Sequence, residues 1–306
     1  MTQLETLPAQ AEKFLEIPLP EIPSDFVDFW RSTYQEARAI PTRLARRKIS
    51  SPREGFDLFE IEFDSLDGVR IGGWLTVPQK GSIRRGVVGG HGYGGREAAE
   101  LYPPGPDAVG IYPCARGFHR SAHPVIPSVG GQHVLHGIEK RETYSLRGSA
   151  ADLWCAANAL MEIFPEVGGT LDYFGASFGG GIGALAIPWD KRFRKAYLDV
   201  PTFGNHPVRL TIPCSGSGEP VRLYHAKNPE VVEVLSYFDA ATAASFFDIP
   251  VFVSPALVDP AVPPEGQFAV YKAIQSEKEI FVRSTGHPDT PKESVLIYRQ
   301  LRNWFA

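Results

Sequence analysis

Between Phe56 and Val77 apolar residues fall at every second position, with Phe59, Ile61 and Phe63 on one face, then Leu66-Asp67-Gly68, then the run VRIGGWLTV. That period-two pattern, folded back at Asp-Gly, predicts an antiparallel hairpin. Upstream the period changes: from Ser24 to Ala39, the residues Phe26, Phe29, Trp30 and Tyr34 recur at helical spacing. The expectation there is an amphipathic helix with Ser24 as N-cap, packed on the surface of the domain. Downstream, the short apolar runs GVVGG, VGIYP, LDYFG, KAYLDV, IPVFVSPALV and KEIFVRS alternate with helical stretches. Those helices are expected over Ser149 to Phe164, near Pro229 to Leu235, near Pro264 to Gln275 and over Pro291 to Phe305. Strands that are apolar throughout and separated by helices belong to a sheet covered on both faces. The fold class is therefore α/β, a mainly parallel central sheet with an antiparallel N-terminal hairpin and helices on both faces. The 27 prolines and 30 glycines are scattered as loop punctuation, with no repeat and no linker. One domain over residues 1–306 is expected, with a helical extension over about residues 1–45.

Composition narrows the function classes. With 43% hydrophobic and 11% aromatic residues in a chain of 306, a large core can be buried, which excludes disorder, collagen and small disulfide scaffolds. Lys and Arg number 31 against 35 Asp and Glu, and the resulting charge of −4 exerts no general pull on phosphate backbones or anionic lipid. No nucleic-acid partner is expected. The charge-free stretches Ser121 to Ile138 and Tyr173 to Trp189 hold prolines and histidines in the first case and glycines in the second, so neither reads as a membrane span. Cys114, Cys155 and Cys214 lack C-x-x-C spacing, and MTQLETLPAQAEKFLEIPLP has no secretory pattern. Reduced thiols and a cytoplasmic location follow as the expectation.

Ligands of a parallel sheet bind beyond the carboxyl ends of its strands, so the chemistry is sought in the loops that follow strands. The sharpest signal is Gly175-Ala176-Ser177-Phe178-Gly179, directly after the strand LDYFG and before the small-residue stretch GGGIGALAI. This is a G-x-S-x-G nucleophile elbow in a strand-to-helix context, with small neighbours where larger side chains would collide. Ser177 is the candidate nucleophile. A serine needs a base, and the base an acid, in the chain order Ser, acid, His. His206, His225 and His287 lie beyond Ser177, but only His287 also lies beyond a strand-end acid, Asp259, which follows IPVFVSPALV. Asp259 and His287 are the candidate acid and base. Asp239 and Asp248 precede apolar strands and are weaker choices. The oxyanion needs backbone donors, for which the N–H groups of Phe178 and of Tyr93, in the loop Gly89 to Gly95, are the candidates.

Two other patterns carry less chemistry. Gly90, Gly92 and Gly95 also fit G-x-G-x-x-G, but the loop follows a hairpin and the next acid, Asp107, ends no apolar strand, so no dinucleotide cofactor is expected. His119, His123, His133 and His136 crowd together, yet the spacing is loose and broken by prolines, so no bound metal is expected.

Together these residues closely resemble the acetyl xylan esterase and cephalosporin-C deacetylase family of α/β-hydrolases. The resemblance rests on FVDFW, FDSLDGVRIGGWLTVP, HGYGG, ARG at Ala115 to Gly117, TYSLRG at Thr143 to Gly148, GASFGGG, LSYFD, LVDPAVPP and TGH at Thr285 to His287. It implies Ser177 as nucleophile, Asp259 as acid, His287 as base and the Tyr93 and Phe178 amides as oxyanion hole. It also implies cofactor-free deacetylation of small acetylated sugars, such as xylooligosaccharides, or related acetate esters, in a homo-oligomer that is commonly a hexamer. Pro201-Thr202-Phe203 corresponds to a segment beside the catalytic serine, which makes Pro201 and Phe203 candidate substrate-binding residues. Three features depart from the family pattern: Phe178 stands where Gln is usual, Pro288 where Glu is usual, and the proline-broken stretch REAAELYPPGPDA predicts a short first helix. The other readings are an α/β-hydrolase of different specificity, a longer-acyl esterase or peptidase, or a non-catalytic binding protein.

Overall fold

The computed structural model describes residues 7–99 and 107–305. Among these residues one sheet contains β1 (Ala45–Ile49), β2 (Phe56–Asp64), β3 (Arg70–Pro78), β4 (Arg85–Gly89), β5 (Ala108–Pro113), β6 (Leu171–Ala176), β7 (Phe193–Asp199), β8 (Val251–Ser254) and β9 (Lys278–Ile280). Their spatial order is β1-β2-β3-β5-β4-β6-β7-β8-β9. The pairs β1–β2, β2–β3 and β3–β5 are antiparallel. Every pairing from β5 through β4 to β9 is parallel. The chain is thus an α/β protein with the expected antiparallel hairpin, turned at Leu66–Gly68 with Asp67 at φ 63°.

Residue alternation along the central strands shows why both faces carry helices. Ala196, Leu198, Val251 and Val253 point into the main core with the helices Ser145–Ile163 and Phe178–Ala186. Their neighbours Tyr197 and Phe252 point the opposite way and pack with Ile297, Trp304 and Phe305 of the C-terminal segment. A strand buried on both faces has no use for polar positions, which is the reason the runs read as continuous apolar segments.

The N-terminal helix Phe26–Ala39 buries Phe26, Trp30, Thr33 and Ala37 on one side. Trp30 Nε1 donates to the Tyr237 carbonyl at 2.9 Å. Its start differs from expectation: Asp25, not Ser24, occupies the N-cap, and no side chain caps the helix. The Asp25 carboxylate instead accepts from Arg141 at 2.8 Å and from the Tyr237 hydroxyl. Tertiary partners have taken the oxygen that a cap would use.

Several other boundaries move. The helix expected from Ser149 begins at Ser145, whose hydroxyl donates to the His133 carbonyl at 2.7 Å. β8 and β9 are shorter than the apolar runs, ending at Ser254 and Ile280, after which a single bridge joins Ala256 to Arg283. The helix Ala9–Glu16 and the edge strand β1 have no counterpart in the apolar pattern. β1 is the run Ala-Arg-Arg-Lys-Ile, a charged edge of the kind that resists pairing with other chains. Residues 100–106 of the stretch expected to hold a short helix lie outside the described residues, and Arg96 to Ala99 are not helical. No helix among the described residues is long and apolar enough to cross a membrane.

Candidate active site

Ser177 joins β6 to the helix Phe178–Ala186 with its backbone at φ 54°, ψ −113°. That conformation is costly for a residue with a Cβ, by about 1 to 3 kcal/mol, and persists because the surroundings fix it. The Ser177 N–H donates to the Asp199 carbonyl at 2.8 Å, while its carbonyl accepts from Gly181 at 3.0 Å and Thr202 at 3.2 Å. The flanking glycines are required by space: a Cβ on Gly179 would lie 2.9 Å from the backbone of Gly90 and His91, and one on Gly175 would lie 2.6 Å from Gly179. Larger residues there would push the elbow off both the strand and the glycine loop.

The glycine loop after β4 lies against the serine, since a Cβ on Gly92 would approach the Ser177 Cβ to 3.7 Å. His91, buried beneath it, holds its shape. Its Nδ1 pairs with the Gly92 carbonyl at 2.7 Å and its Nε2 accepts from Ala115 N–H at 2.8 Å, which sets the tautomer with the proton on Nδ1. Burial, with the Arg96 charge adding to it, pushes the His91 pKa down to about 4, so the ring is neutral at pH 7. The N–H of Phe178 is a first-turn donor that its helix cannot use. Among the described residues neither this N–H nor that of Tyr93 has a hydrogen bond. Neither candidate oxyanion donor is spent on a partner within the described residues.

Behind them stands an aromatic block. Tyr93 stacks on Phe178 with ring centroids 4.2 Å apart, and Phe203 meets Phe178 edge-on at 6.1 Å. Phe178 and Phe203 are buried, and Phe203 holds φ at 67°. Pro201 is buried beside the elbow, its Cα 3.0 Å from the position a Cβ on Gly180 would take.

Asp259 and His287 come together across the loops after β8 and β9: His287 Nδ1 and Asp259 Oδ2 are 2.8 Å apart. Asp259 is buried, and its Oδ1 accepts from the N–H groups of Ala261 at 2.8 Å and Val262 at 3.0 Å. Burial raises its pKa, but the hydrogen bonds from His287 and from those amides outweigh it, and the carboxyl lies below its ordinary value. Ser177 follows β6, while Asp259 and His287 follow β8 and β9, so parallel pairing brings all three to the carboxyl edge of the sheet; the Ser177 Oγ makes no hydrogen bond among the described residues.

The other candidates have structural uses. Asp239 caps the helix Ala240–Ala244 and accepts from His206 N–H at 2.6 Å; Asp248 pairs with Lys191 at the surface. His206 is buried against the Phe238 carbonyl. Of the four crowded histidines, His133 is buried with Nδ1 3.4 Å from the Tyr93 hydroxyl and His119 packs against Gly95. Among the described residues no three His, Cys, Asp or Glu are grouped to hold a metal ion.

Gln267 was not legible as a site residue. Its Nε2 donates to Asp259 Oδ2 at 2.9 Å, and its Oε1 accepts from Ala256 N–H at 2.8 Å. The signal available was a lone polar residue beside Phe268, Ala269 and Val270 on a helix face that is buried.

Residues 17–304 match the family model described as acetyl xylan esterase. The chain is similar to acetyl esterase Axe7A of Xylanibacter ruminicola, with 21% identity over 302 residues that cover 90% of this chain and 66% of that protein. It thus spans about two thirds of that relative's length. In structure it is similar to acetyl xylan esterase 1 from Thermoanaerobacterium sp. JW/SL YS485, with a TM-score of 0.84, 20% identity and coverage of 98% of this chain and 99% of that one. The acetyl xylan esterase from Paenibacillus sp. R4 superposes with a TM-score of 0.82 at 21% identity, covering 97% of this chain and 99% of that one. The chain belongs to the acetyl xylan esterase family, a family of carboxylic ester hydrolases built on the α/β-hydrolase fold.

Proposed function

We propose that the protein is a serine esterase, one domain in extent, that removes acetyl groups from small acetylated sugars such as xylooligosaccharides, with no cofactor. The observation that carries this reading is the strained Ser177 elbow at the same sheet edge as the hydrogen-bonded Asp259 and His287. With the His287 Nδ1 proton directed at Asp259, Nε2 is the basic nitrogen. It takes the proton as Ser177 Oγ attacks the acetyl carbonyl, and the Tyr93 and Phe178 N–H groups receive the oxyanion. Collapse expels the sugar alkoxide, which takes the proton back from His287 and leaves acetyl-Ser177. Water, deprotonated by His287, then attacks the acetyl carbonyl, and as the ester bond to Ser177 breaks His287 returns the proton to Ser177 Oγ and acetate leaves. Pro201 and Phe203 bound the acyl side. The same reading has the protein in the cytoplasm as a homo-oligomer, a hexamer by family resemblance, which light scattering of the purified protein checks.

Ser177→Ala is expected to leave the fold intact and to lower turnover of p-nitrophenyl acetate by about three orders of magnitude or more, because such residues act as a unit. A fluorophosphonate should label wild-type protein and not this variant. Retained turnover would remove the assignment, and an unlabelled wild-type serine would favour a non-catalytic binding protein.

A further inference from the structure

Arg283 follows β9 and is fully buried, yet it carries a charge at the end of an apolar strand. Each arm of its guanidinium has a use. Nη1 donates to Asp199 Oδ1 at 3.0 Å, while Nη2 donates to the main-chain carbonyls of His287 at 2.9 Å and Gly286 at 3.4 Å. Nη2 also pairs with Asp289 Oδ1 at 2.5 Å. The Arg283 backbone is held too: its N–H donates to the Pro255 carbonyl at 2.8 Å, and its carbonyl accepts from Leu257 at 2.9 Å.

Asp199 closes the circuit. It ends β7, and its carbonyl is the acceptor for the Ser177 N–H at 2.8 Å. One arginine therefore links the backbone that presents the serine to the backbone that presents the histidine. The link has mechanical value because β9 lies three strands from β6, roughly 14 Å at ordinary strand spacing, and the histidine loop must lean across β8 and β7 to reach the elbow. The bond from His287 to Asp259 sets the direction of the ring but leaves the height of the loop open. A rigid, planar fork with fixed donors can set that height, whereas an apolar side chain of the same volume would fill the space without reading it.

We propose that Arg283 is a positioning residue: with Asp199 and Asp289 it holds the histidine loop where the His287 ring meets the Ser177 hydroxyl. The inference rests on the reading of Ser177, Asp259 and His287 as the catalytic group. A residue that acts through His287 should matter only while His287 is present.

The test is a double-mutant cycle on p-nitrophenyl acetate, with rates normalised to folded protein. Arg283→Lys keeps the charge and loses the fork, and it is expected to lower kcat about 10- to 100-fold with KM unchanged within about twofold, the scale of a misplacement near 1 Å. In the His287→Ala background the same substitution should change the residual rate by less than about twofold. Asp289→Asn, at a partly exposed carboxylate, serves if Arg283→Lys does not fold, and should lower kcat about threefold or more, again only when His287 is present. A kcat within about twofold of wild type in the folded variant, or an equal fall in both backgrounds, overturns the proposal. A His287→Ala protein that turns over like wild type would instead overturn the underlying assignment of the triad.

Discussion

Phe178 occupies the position after the candidate nucleophile, and its side chain is turned into the core, stacked on Tyr93 and backed by Phe203. A block of packed rings cannot recede to admit a longer chain without leaving its rotamers, and overpacking of this kind costs roughly 1 to 3 kcal/mol. We therefore expect kcat/KM to fall by about one to two decades from acetate to butyrate esters. Phe203→Ala should relieve part of that fall, because it removes the support behind Phe178. It should also lower stability by about 3 to 5 kcal/mol, since a fully buried ring is replaced by a cavity. Equal efficiency on acetate and octanoate esters, measured with p-nitrophenyl substrates, would show an acyl site open at this end.

The helix Pro291–Trp304 shows how one element serves two ends. Thr290 and Glu293 form a capping box: Thr290 Oγ1 accepts from Glu293 N–H at 3.3 Å and the Glu293 carboxylate accepts from Thr290 N–H at 3.2 Å. The same carboxylate reaches back to the Ser284 N–H at 2.7 Å and to the Thr285 hydroxyl, so the helix start also clamps the chain leading to His287. Burial raises the Glu293 pKa, but the hydrogen bonds from Thr285, Thr290 and Ser284 overcome it and hold the carboxyl at about 2, against an ordinary 4.5. A carboxyl depressed in the folded state contributes stability above its unfolded pKa and loses it as pH falls through the folded value. Glu293→Gln should thus lower the free energy of unfolding by about 2 to 3 kcal/mol at pH 7. The deficit should shrink as the pH falls from 4.5 toward 2, which urea titrations of both proteins would reveal. A deficit of constant size would mean that shape, not charge, is what the clamp uses.

Across the whole molecule, the buried histidines decide the response to acid. Burial pushes His91 down to about 4, and His133 and His206 to about 3, with Arg96, Arg116 and Arg209 respectively adding to the effect. Each is neutral when folded and takes a proton near pH 6.5 when the chain unfolds, so their contribution is present above that pH and is lost as pH falls toward the folded values. Asp199 works the other way: burial, with the Asp289 charge adding to it and Arg283 opposing, lifts its pKa to about 6. Near pH 5 these four groups alone make the unfolded chain bind about two more protons than the folded one, a slope of about 3 kcal/mol per pH unit, with the carboxyls of Asp172 and Asp239, which burial also raises, working against it. The urea midpoint is expected to drop between pH 7 and pH 5. A midpoint that holds or rises would mean that the raised carboxyls of Asp172, Asp199 and Asp239 outweigh the histidines, or that the histidines are protonated in the fold.

Strand and helix periods were legible because they are properties of a few consecutive residues: alternate side chains point to opposite faces of a strand, and small residues around a serine are a local steric demand. The hairpin, the order of the later elements and the Ser177 elbow belong to this class; the pairing of Asp259 with His287, 28 positions apart, was legible for a different reason, that each follows a late strand in the chain order Ser, acid, His. Charged or polar groups that work at a distance were not legible. Arg283 and Asp199 are 84 positions apart and Asp25 and Arg141 are 116 apart, so nothing in either local pattern marks the partner. Only the folded chain decides whether an aspartate such as Asp25 caps its helix or serves a remote arginine, because burial sets the strength of each interaction and topology sets which groups can meet. By the same rule β8 and β9 stop short of their apolar runs, since a strand ends where its neighbour's hydrogen bonds end rather than where its hydrophobic residues do.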